Sequence, residues 1–271
     1  MAKAIFDKEV LMKYGFIGCG NMGGSIARAL RNSTADITLC DPFAAKDLAA
    51  ELGCKADENT AVAENCQSIF LAVKPQILEK AITPIAEILK EKKPLLITMA
   101  AGVGIKKIEA MVGAPLPIIR IMPNTPVMVG NGTILYCHNE LVTEEMLNGF
   151  LTDMQHAGLL DPIAENLIDA ASALSGCGPA YVYMFIEALA DGAVACGVPR
   201  AKAIAYAANT LAGAAQMVMQ TGQHPGALKD AVCSPGGSTI AGVKALEEHG
   251  FRGAVMNCIQ DAYIRTKELG K

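Results

Sequence analysis

Short apolar runs alternate with amphipathic stretches in the first part of the chain. The apolar runs predict buried strands at 14–18, 37–40, 69–73, 95–99, 118–122 and 132–138. The stretches between them have helical periodicity and predict helices at 21–31, 44–52, 76–90, 105–112 and 143–156. Gly53 is a predicted helix stop, and Thr143 is a predicted N-cap. Strands that alternate with helices indicate a parallel sheet covered on both faces.

The pattern changes near residue 165, where the strand-like runs end. The stretches that follow predict helices only, at 167–174, 180–195, 200–221, 240–248 and 251–269. Many positions in these helices are Ala or Gly, and a face of small side chains admits a close neighbour. We therefore expect an α/β domain at 12–164 and an all-α domain at 165–271 that pairs with a second copy of the chain.

Composition narrows the set of partners. With 271 residues, of which 52% are hydrophobic, the chain is large enough for two folded domains. A net charge of −4 gives no electrostatic reason to expect nucleic acid or an anionic membrane as a partner. No apolar run reaches the length of a membrane span, and a start that contains Asp7, Lys8 and Glu9 is unlike a secretory signal.

Cysteine and histidine usage predicts a cytoplasmic protein without a metal. The nine cysteines are odd in number, are scattered along the chain and form no C-x-x-C pair. This usage is typical of reduced, packed thiols. The four histidines stand alone, and no cluster of His, Cys and Asp has metal-ligand spacing.

Two glycine-rich turns lie far apart in the sequence. The first follows the strand that ends near Ile17 and reads Gly18-Cys19-Gly20-Asn21-Met22-Gly23. In a G-x-G-x-x-G motif, the first glycine allows a tight turn and the second lets the backbone approach a pyrophosphate. The third permits close packing of helix on strand. This turn, between a strand and a helix, predicts a Rossmann-type dinucleotide-binding domain.

The residue at the end of the second strand bears on the choice of cofactor. Asp41 stands where a carboxylate accepts hydrogen bonds from the adenosine ribose and repels a 2′-phosphate, which favours NADH over NADPH. The pair Asp41-Pro42 also fits a simple helix cap, and Arg28 and Lys46 are cations that attract a phosphate. Both NADPH and NADH therefore remain open.

The second glycine-rich turn reads Ser234-Pro235-Gly236-Gly237-Ser238-Thr239 and opens a helix. Backbone N–H groups at such a helix start have no intrahelical partner, and they can hold an anion. Two separate anion sites indicate a cofactor phosphate at one and a small carboxylate at the other. These two sites therefore predict an enzyme with two substrates.

Further motifs occur in order between the two turns: Ala72-Val73-Lys74-Pro75, Met122-Pro123-Asn124-Thr125-Pro126, Leu174 through Tyr181, and His224-Pro225-Gly226. Together with the turns, over residues 12–269, they resemble the pyrroline-5-carboxylate reductase family. The resemblance implies reduction of 1-pyrroline-5-carboxylate to L-proline by NAD(P)H, the last step of proline biosynthesis. It also implies a helical dimerisation domain that interlocks two protomers, as a homodimer or larger ring, with the active site at their interface.

The resemblance assigns roles to individual residues. The N–H groups of Gly237, Ser238 and Thr239 bind the substrate carboxylate, and the Thr239 hydroxyl is the catalytic group beside the ring nitrogen. The substrate pocket is completed by Ser175, Gly178, Pro179 and Asn124. The cofactor-binding set is Ile17, Gly18, Cys19, Gly20, Asn21, Met22, Gly23, Asp41, Asn59, Ala72, Val73, Lys74 and Ala100.

Two positions depart from the family pattern. The family commonly uses NADPH and has a Ser- or Thr-type residue near the end of the second strand, where this chain has Asp41. Cys177 stands where many members have Ser, and a buried, inert thiol is the simplest interpretation.

Two alternatives remain. A β-hydroxyacid dehydrogenase places a catalytic Lys on the helix after a G-x-G segment, but the corresponding residues here are Val182 and Tyr183. A non-catalytic dinucleotide-binding sensor needs no second anion loop, which this chain has. The chemistry also fits imine reduction, because one positioned hydroxyl suffices where an imine carries its own proton. On its own, Thr239 also fits an ordinary residue of a helix start.

Overall fold

A central sheet organises the first part of the chain. The computed structural model describes residues 12–33 and 36–269, so the predicted features of residues 1–11 lie outside it. Within that part of the chain, eight strands form one sheet. They are β1 (Tyr14–Ile17), β2 (Ile37–Cys40), β3 (Lys55–Ala56), β4 (Ser68–Leu71), β5 (Leu95–Thr98), β6 (Ile118–Met122), β7 (Gly132–His138) and β8 (Gly158–Pro162). Their order is β3-β2-β1-β4-β5-β6-β7-β8, and all neighbours are parallel except β6 and β7.

Helices cover both faces of this sheet, which confirms the predicted α/β class. The helices of this part are α1 (Asn21–Leu30), α2 (Ala45–Leu52), α3 (Asn59–Asn65), α4 (Leu78–Ile82), α5 (Ala86–Lys92), α6 (Ile105–Val112), α7 (Glu144–Met154) and α8 (Glu165–Ser175). Successive strand side chains point to opposite faces. Phe16 therefore packs with α1, α2 and α7, and Ile17 packs with α3 to α6.

The register of the parallel strands aligns their carboxyl ends. Ile17 of β1 lies opposite Cys40 of β2 on one side and Leu71 of β4 on the other. The chain moves from β1 to β2 in one direction and returns to β4 on the other side of β1. Ligands of open α/β sheets bind at such a reversal of strand order, beside the carboxyl ends.

Several elements differ from the sequence prediction. The predicted helix 76–90 is broken, because Pro84 has no N–H to donate and a 3-10 turn, Thr83–Ile85, separates α4 from α5. The edge strand β8 was missed, since most of its residues are exposed and give no apolar run. The short elements β3 and α3 were missed as well. The two predicted caps are confirmed: Gly53 has a left-handed φ of 63°, and the Thr143 side chain accepts from the Met146 N–H.

The second compact unit, Cys177–Ala262, is helical. Its helices are α9 (Gly178–Ala195), α10 (Arg200–Thr221), α11 (Pro225–Ala231), α12 (Ser238–Glu248) and the first part of α13 (Phe251–Leu269). The sequence reading missed α11. Helices α9 and α10 pack through the small side chains Ala190, Ala203 and Ala207. The first unit extends to Gly176 and also includes the last part of α13, from Tyr263 onward. The predicted bounds of 12–164 and 165–271 therefore stay a prediction.

Large apolar side chains of this helical unit remain exposed. The most exposed are Met219 at 73%, Met184 at 70% and Val232 at 64%. An exposed apolar surface of this extent marks an interaction surface. None of the helices among residues 12–33 and 36–269 is both long and apolar enough to cross a membrane.

A buried ion pair ties α8 to the sheet of the first unit. The Arg120 side chain on β6 is 3% exposed, and its Nη2 donates to Asp169 Oδ1 on α8 at 2.5 Å. Its Nη1 lies 3.6 Å from the carboxylate of Glu165 on the same helix. A buried charge with partners on one helix fixes the position of that helix, because losing the partners leaves the charge uncompensated.

We expect Asp169→Ala to lower the free energy of unfolding by about 3 kcal/mol, because Arg120 would keep only its longer contact with Glu165. The free energy of unfolding is measured by chemical denaturation of the wild type and of each variant, followed by circular dichroism. The matched control is Asp191→Ala, which breaks an exposed pair with Arg200 and should cost less than about 1 kcal/mol. Equal losses in the two variants would contradict this role for Arg120.

Candidate active site

The β1–α1 turn leaves space at one glycine and none at the other two. Gly18 has a φ of +101°, and an added Cβ would lie 2.7 Å from the backbone of Ala72. A Cβ on Gly23 would lie 2.3 Å from the Gly18 carbonyl oxygen. Gly20 is exposed, and a Cβ there would meet no atom within 4 Å. The turn is closed on the protein side and open on the solvent side, as a turn that receives a pyrophosphate must be.

The start of α1 has the features of an anion site. Gly20 is its N-cap, and no side chain caps the helix there. The first N–H groups of a helix have no intrahelical partner and carry the positive end of the helix dipole. Asn21 and Met22, in this first turn, therefore present their N–H groups beside the open space at Gly20. The residues present fit a dinucleotide phosphate.

Asp41 is held by three backbone donors. Its Oδ2 accepts from the Cys19 N–H at 2.9 Å, and its Oδ1 accepts from Phe43 and Ala44 at 2.9 Å and 3.0 Å. Partial burial opposes ionisation, but these bonds outweigh it, and the pKa of the carboxyl is lowered. The carboxylate therefore stabilises the fold at neutral pH, and this contribution is lost as the pH falls through the lowered pKa. Asp41 therefore caps the turn before α2 and is also bonded to the β1–α1 turn.

Arg28 lies in α1, and Cys19 lies in the β1–α1 turn. Arg28 makes two hydrogen bonds of 2.6 Å to the carboxylate of Glu51, in a surface pair whose side chains are 40% and 50% exposed. Burial, and then the charge of Asp41, raises the pKa of the Cys19 thiol to about 12. This thiol stays neutral at physiological pH and is inert as a nucleophile.

The other predicted cofactor residues lie at the same edge of the sheet. Ala72, Val73 and Lys74 follow β4, and the Ala72 N–H donates to the Ile17 carbonyl at 2.8 Å. Ala100 follows β5 and is 2% exposed. Asn59 begins α3, and its amide donates weakly to Ala81 O at 3.5 Å. The structure thus brings the predicted cofactor residues together along the carboxyl ends of the parallel strands.

Asn124 braces the segment that follows α8. It is 7% exposed, and its Nδ2 donates to the carbonyl of Ser175 at 2.9 Å. Its Oδ1 accepts from the Thr133 N–H at 2.9 Å. The Ser175 hydroxyl oxygen is buried without a partner among the described residues. A buried hydroxyl without a partner is costly.

The second anion loop has an open helix start. Gly236 has a φ of +69°, which favours glycine, and a Cβ on Gly237 would lie 2.4 Å from Ser234 Oγ, so the Ser234 hydroxyl would have to rotate away. The Gly237 N–H donates to the Ser234 carbonyl at 3.0 Å. Among the described residues, no backbone acceptor lies on the N–H groups of Ser238 and Thr239. The predicted carboxylate-binding set of Gly237, Ser238 and Thr239 stays a prediction, and the Gly237 N–H is bonded within the loop in this structure.

The predicted substrate residues are divided between the two compact units. Asn124 and Ser175 belong to the first unit, whereas Gly178, Pro179 and the loop that ends at Thr239 belong to the second. Gly178 and Pro179 form the first turn of α9. Across residues 12–33 and 36–269, no group of three or more His, Cys, Asp or Glu side chains is arranged to hold a metal.

The sequence reading missed partners that the structure supplies. Thr133 anchors Asn124, and Glu51 pairs with Arg28. Neither partner lies in one of the motifs, and the two bonds span 9 and 23 positions of the chain. The exposed side chain of Phe43, in the turn after β2, was also missed; its only signal was its position after Asp41.

Two family models match the chain. The model described as pyrroline-5-carboxylate reductase dimerisation matches residues 165–269. The model described as NADP oxidoreductase coenzyme F420-dependent matches residues 13–102. The two matches follow the division of the sequence into an α/β part and a helical part.

Relatives and solved structures agree with the family models. A pyrroline-5-carboxylate reductase of Escherichia coli is 43% identical over 96% of this chain and 98% of the relative. One of Methanosarcina acetivorans is 38% identical over 96% of this chain and 98% of the relative. The crystal structure of Plasmodium falciparum pyrroline carboxylate reductase with NADP bound superposes with a TM-score of 0.88. It is 34% identical and covers 96% of this chain and 98% of its own.

We expect Gly20→Ala to weaken NADH binding and Gly23→Ala to lower the stability of the fold. The Cβ on Gly23 meets the Gly18 backbone, so this variant should lose thermal stability. The Cβ on Gly20 meets only the space proposed for the pyrophosphate. This variant should keep its unfolding free energy within about 1 kcal/mol and bind NADH at least about tenfold more weakly.

Calorimetric titration with NADH and a thermal melt of each variant provide the measurement. Full NADH affinity in a stable Gly20→Ala protein would contradict the assignment of the turn.

Proposed function

The chain belongs to the pyrroline-5-carboxylate reductase family and reduces 1-pyrroline-5-carboxylate to L-proline, and we propose that its two anion sites hold the two reactants. The β1–α1 turn holds the dinucleotide, and the first turn of α12 holds the substrate carboxylate. The observation that carries this proposal is the open start of α12, where Ser238 and Thr239 present N–H groups without acceptors. A sensor that only binds a dinucleotide has no use for this second site.

The loop before α12 is built to receive a small carboxylate. Gly236 and Gly237 form the turn before α12, and neither places a side chain beside the helix start. The N–H groups of Ser238 and Thr239 then donate to one carboxylate at the positive end of the helix dipole. The exposure of the loop in the single chain is consistent with a site that a second protomer completes.

Thr239 is the proposed catalytic residue. Hydride addition to a cyclic imine requires an electrophilic carbon, and a proton or hydrogen bond on the ring nitrogen makes it so. The imine carries its own proton near neutral pH, so the chain has only to orient the nitrogen with one hydroxyl. With the carboxylate held by the backbone of Ser238 and Thr239, the Thr239 hydroxyl is close in the chain to the bound substrate.

Asn124, Ser175, Gly178 and Pro179 are the proposed pocket residues. Asn124 holds the Ser175 carbonyl, which fixes the chain just before α9. The Ser175 hydroxyl lies buried next to this bond, without a partner among the described residues. Pro179 lies in the first turn of α9, where its missing N–H costs nothing.

The proposed hydride donor is NADH in preference to NADPH. When bound, the dinucleotide supplies the hydride that reduces C5 of the imine. The Asp41 carboxylate lies within 2.9 Å of the cofactor turn, where it accepts ribose hydroxyls and repels a 2′-phosphate. Arg28, the nearby cation that would offset it, is paired with Glu51. The relative from Plasmodium falciparum was solved with NADP, so this chain would differ from it.

We propose a homodimer, or a ring of dimers, formed through the helical unit. The match to a dimerisation family model and the exposed apolar side chains of α9, α10 and α13 support this assembly.

All nine cysteines are free thiols, which supports the cytoplasm as the compartment. The alternative of a β-hydroxyacid dehydrogenase is not favoured, because the relatives over the whole chain are pyrroline-5-carboxylate reductases.

Thr239→Ala should lower kcat by about 100-fold, because the positioned hydroxyl is lost, while NADH affinity stays within about twofold. Steady-state kinetics and an NADH titration measure the two effects. Thr239→Ser should retain most of the activity. The control is Thr221→Ala, whose hydroxyl donates to Met217 O inside α10 and should leave kcat unchanged. Wild-type turnover in Thr239→Ala would remove this residue from the mechanism.

Asp41→Ser should raise the ratio of kcat/KM with NADPH to kcat/KM with NADH by roughly tenfold or more, because a negative charge beside the 2′-phosphate is removed. Initial rates with both cofactors give the ratio directly. Asp161→Ser, on the far edge strand β8, changes the net charge equally and should leave the ratio unaltered. An unchanged ratio in Asp41→Ser would refute the proposed ribose contact.

A further inference from the structure

Phe43 is the most exposed large apolar side chain of the described residues. It is 92% exposed, in the turn between β2 and α2. Along the chain, the next exposed large apolar side chain is Ile77. The accessible face of the Phe43 ring can stack on a flat, ring-shaped ligand.

The backbone that carries this ring is held in place. The Phe43 N–H donates to Asp41 Oδ1 at 2.9 Å, and the Ala44 N–H donates to the same oxygen at 3.0 Å. Pro42, directly before Phe43, fixes its own φ. The aromatic side chain is therefore presented to solvent by an ordered turn.

The same carboxylate connects this turn to the cofactor site. Asp41 Oδ2 accepts from the Cys19 N–H at 2.9 Å, and Cys19 lies between the glycines of the β1–α1 turn. A dinucleotide with its pyrophosphate at Gly20 and its adenosine ribose at Asp41 must extend its base beyond the ribose, on the side of β2. The residues that follow Asp41 lie there. This step rests on the dinucleotide site proposed above.

We propose that Phe43 is the stacking platform for the adenine ring of the cofactor. Stacking of a base on an aromatic side chain adds affinity and requires only an accessible face. The contact makes Phe43 a positioning residue for the adenine half of the cofactor. It adds affinity for NADH and NADPH alike, whereas Asp41 discriminates between them.

The first experiment compares ligands with and without adenine. Calorimetric titration of wild type, Phe43→Ala and Phe43→Tyr uses ADP-ribose and nicotinamide mononucleotide as probes. Phe43→Ala should bind ADP-ribose on the order of tenfold more weakly, and Phe43→Tyr should bind it within about twofold, since it keeps an aromatic face. Affinity for nicotinamide mononucleotide should be the same in all three proteins.

The second experiment uses the absence of tryptophan from the chain. Phe43→Trp introduces a single indole, whose fluorescence adenine stacking should quench when ADP-ribose is added. Nicotinamide mononucleotide should leave this emission unchanged. The matched control is Leu141→Trp, at an exposed position (45%) that follows β7 at the opposite edge of the sheet. Its fluorescence should not respond to ADP-ribose.

The outcomes separate this inference from the proposed function. If wild type oxidises NADH with 1-pyrroline-5-carboxylate but Phe43→Ala binds ADP-ribose as tightly as wild type, the stacking role is overturned alone. An altered oligomeric mass in that variant, with unchanged ADP-ribose affinity, would make Phe43 a contact between copies and would also overturn it. If wild type binds neither ADP-ribose nor NADH, the dinucleotide site itself is overturned.

Discussion

The close approach of the β1–α1 turn to the neighbouring strand ends is the constraint on which the cofactor site depends. The Gly18 N–H donates to the Cys40 carbonyl of β2, and the Ala72 N–H donates to the Ile17 carbonyl of β1, both at 2.8 Å. A side chain at Gly18 would collide with Ala72. The turn is thus held from both sides, and its direction decides where α1 begins. That start determines where the unpaired N–H groups of α1 point.

The elements that local signals specify were predictable. Strands β1, β2, β4, β5 and β6 lie close to the apolar runs that predicted them, because parallel strands are buried on both faces and need continuous apolar side chains. The strand β8 has no such requirement. It pairs with β7 through its backbone and keeps most of its side chains exposed. Its sequence therefore carries little signal, and the prediction passed over it.

The same distinction holds for the candidate site. The β1–α1 turn and Asp41 follow consecutive strands, so they are near each other in the sequence as well as in space. Motif and spacing were therefore enough to single them out. The bond from Asn124 to Ser175 joins residues 51 positions apart, and the pair of Arg28 with Glu51 joins two helices. No pattern along one sequence encodes such pairs, since either side chain is equally plausible as a solvated surface residue. The motif alone also does not show that the Gly237 N–H is bonded within its own loop.

In the proposed cofactor site, Asp41 couples cofactor choice to the fold. Its two oxygens accept three backbone N–H groups, from the cofactor turn and from the turn before α2. A change of this residue therefore alters both the charge that faces the ribose and the bonds that hold the two turns together. A hydroxyl side chain at this position has one oxygen and cannot replace all three bonds. A family member that binds a 2′-phosphate must satisfy these N–H groups in another way, so a switch in cofactor preference involves the backbone of both turns.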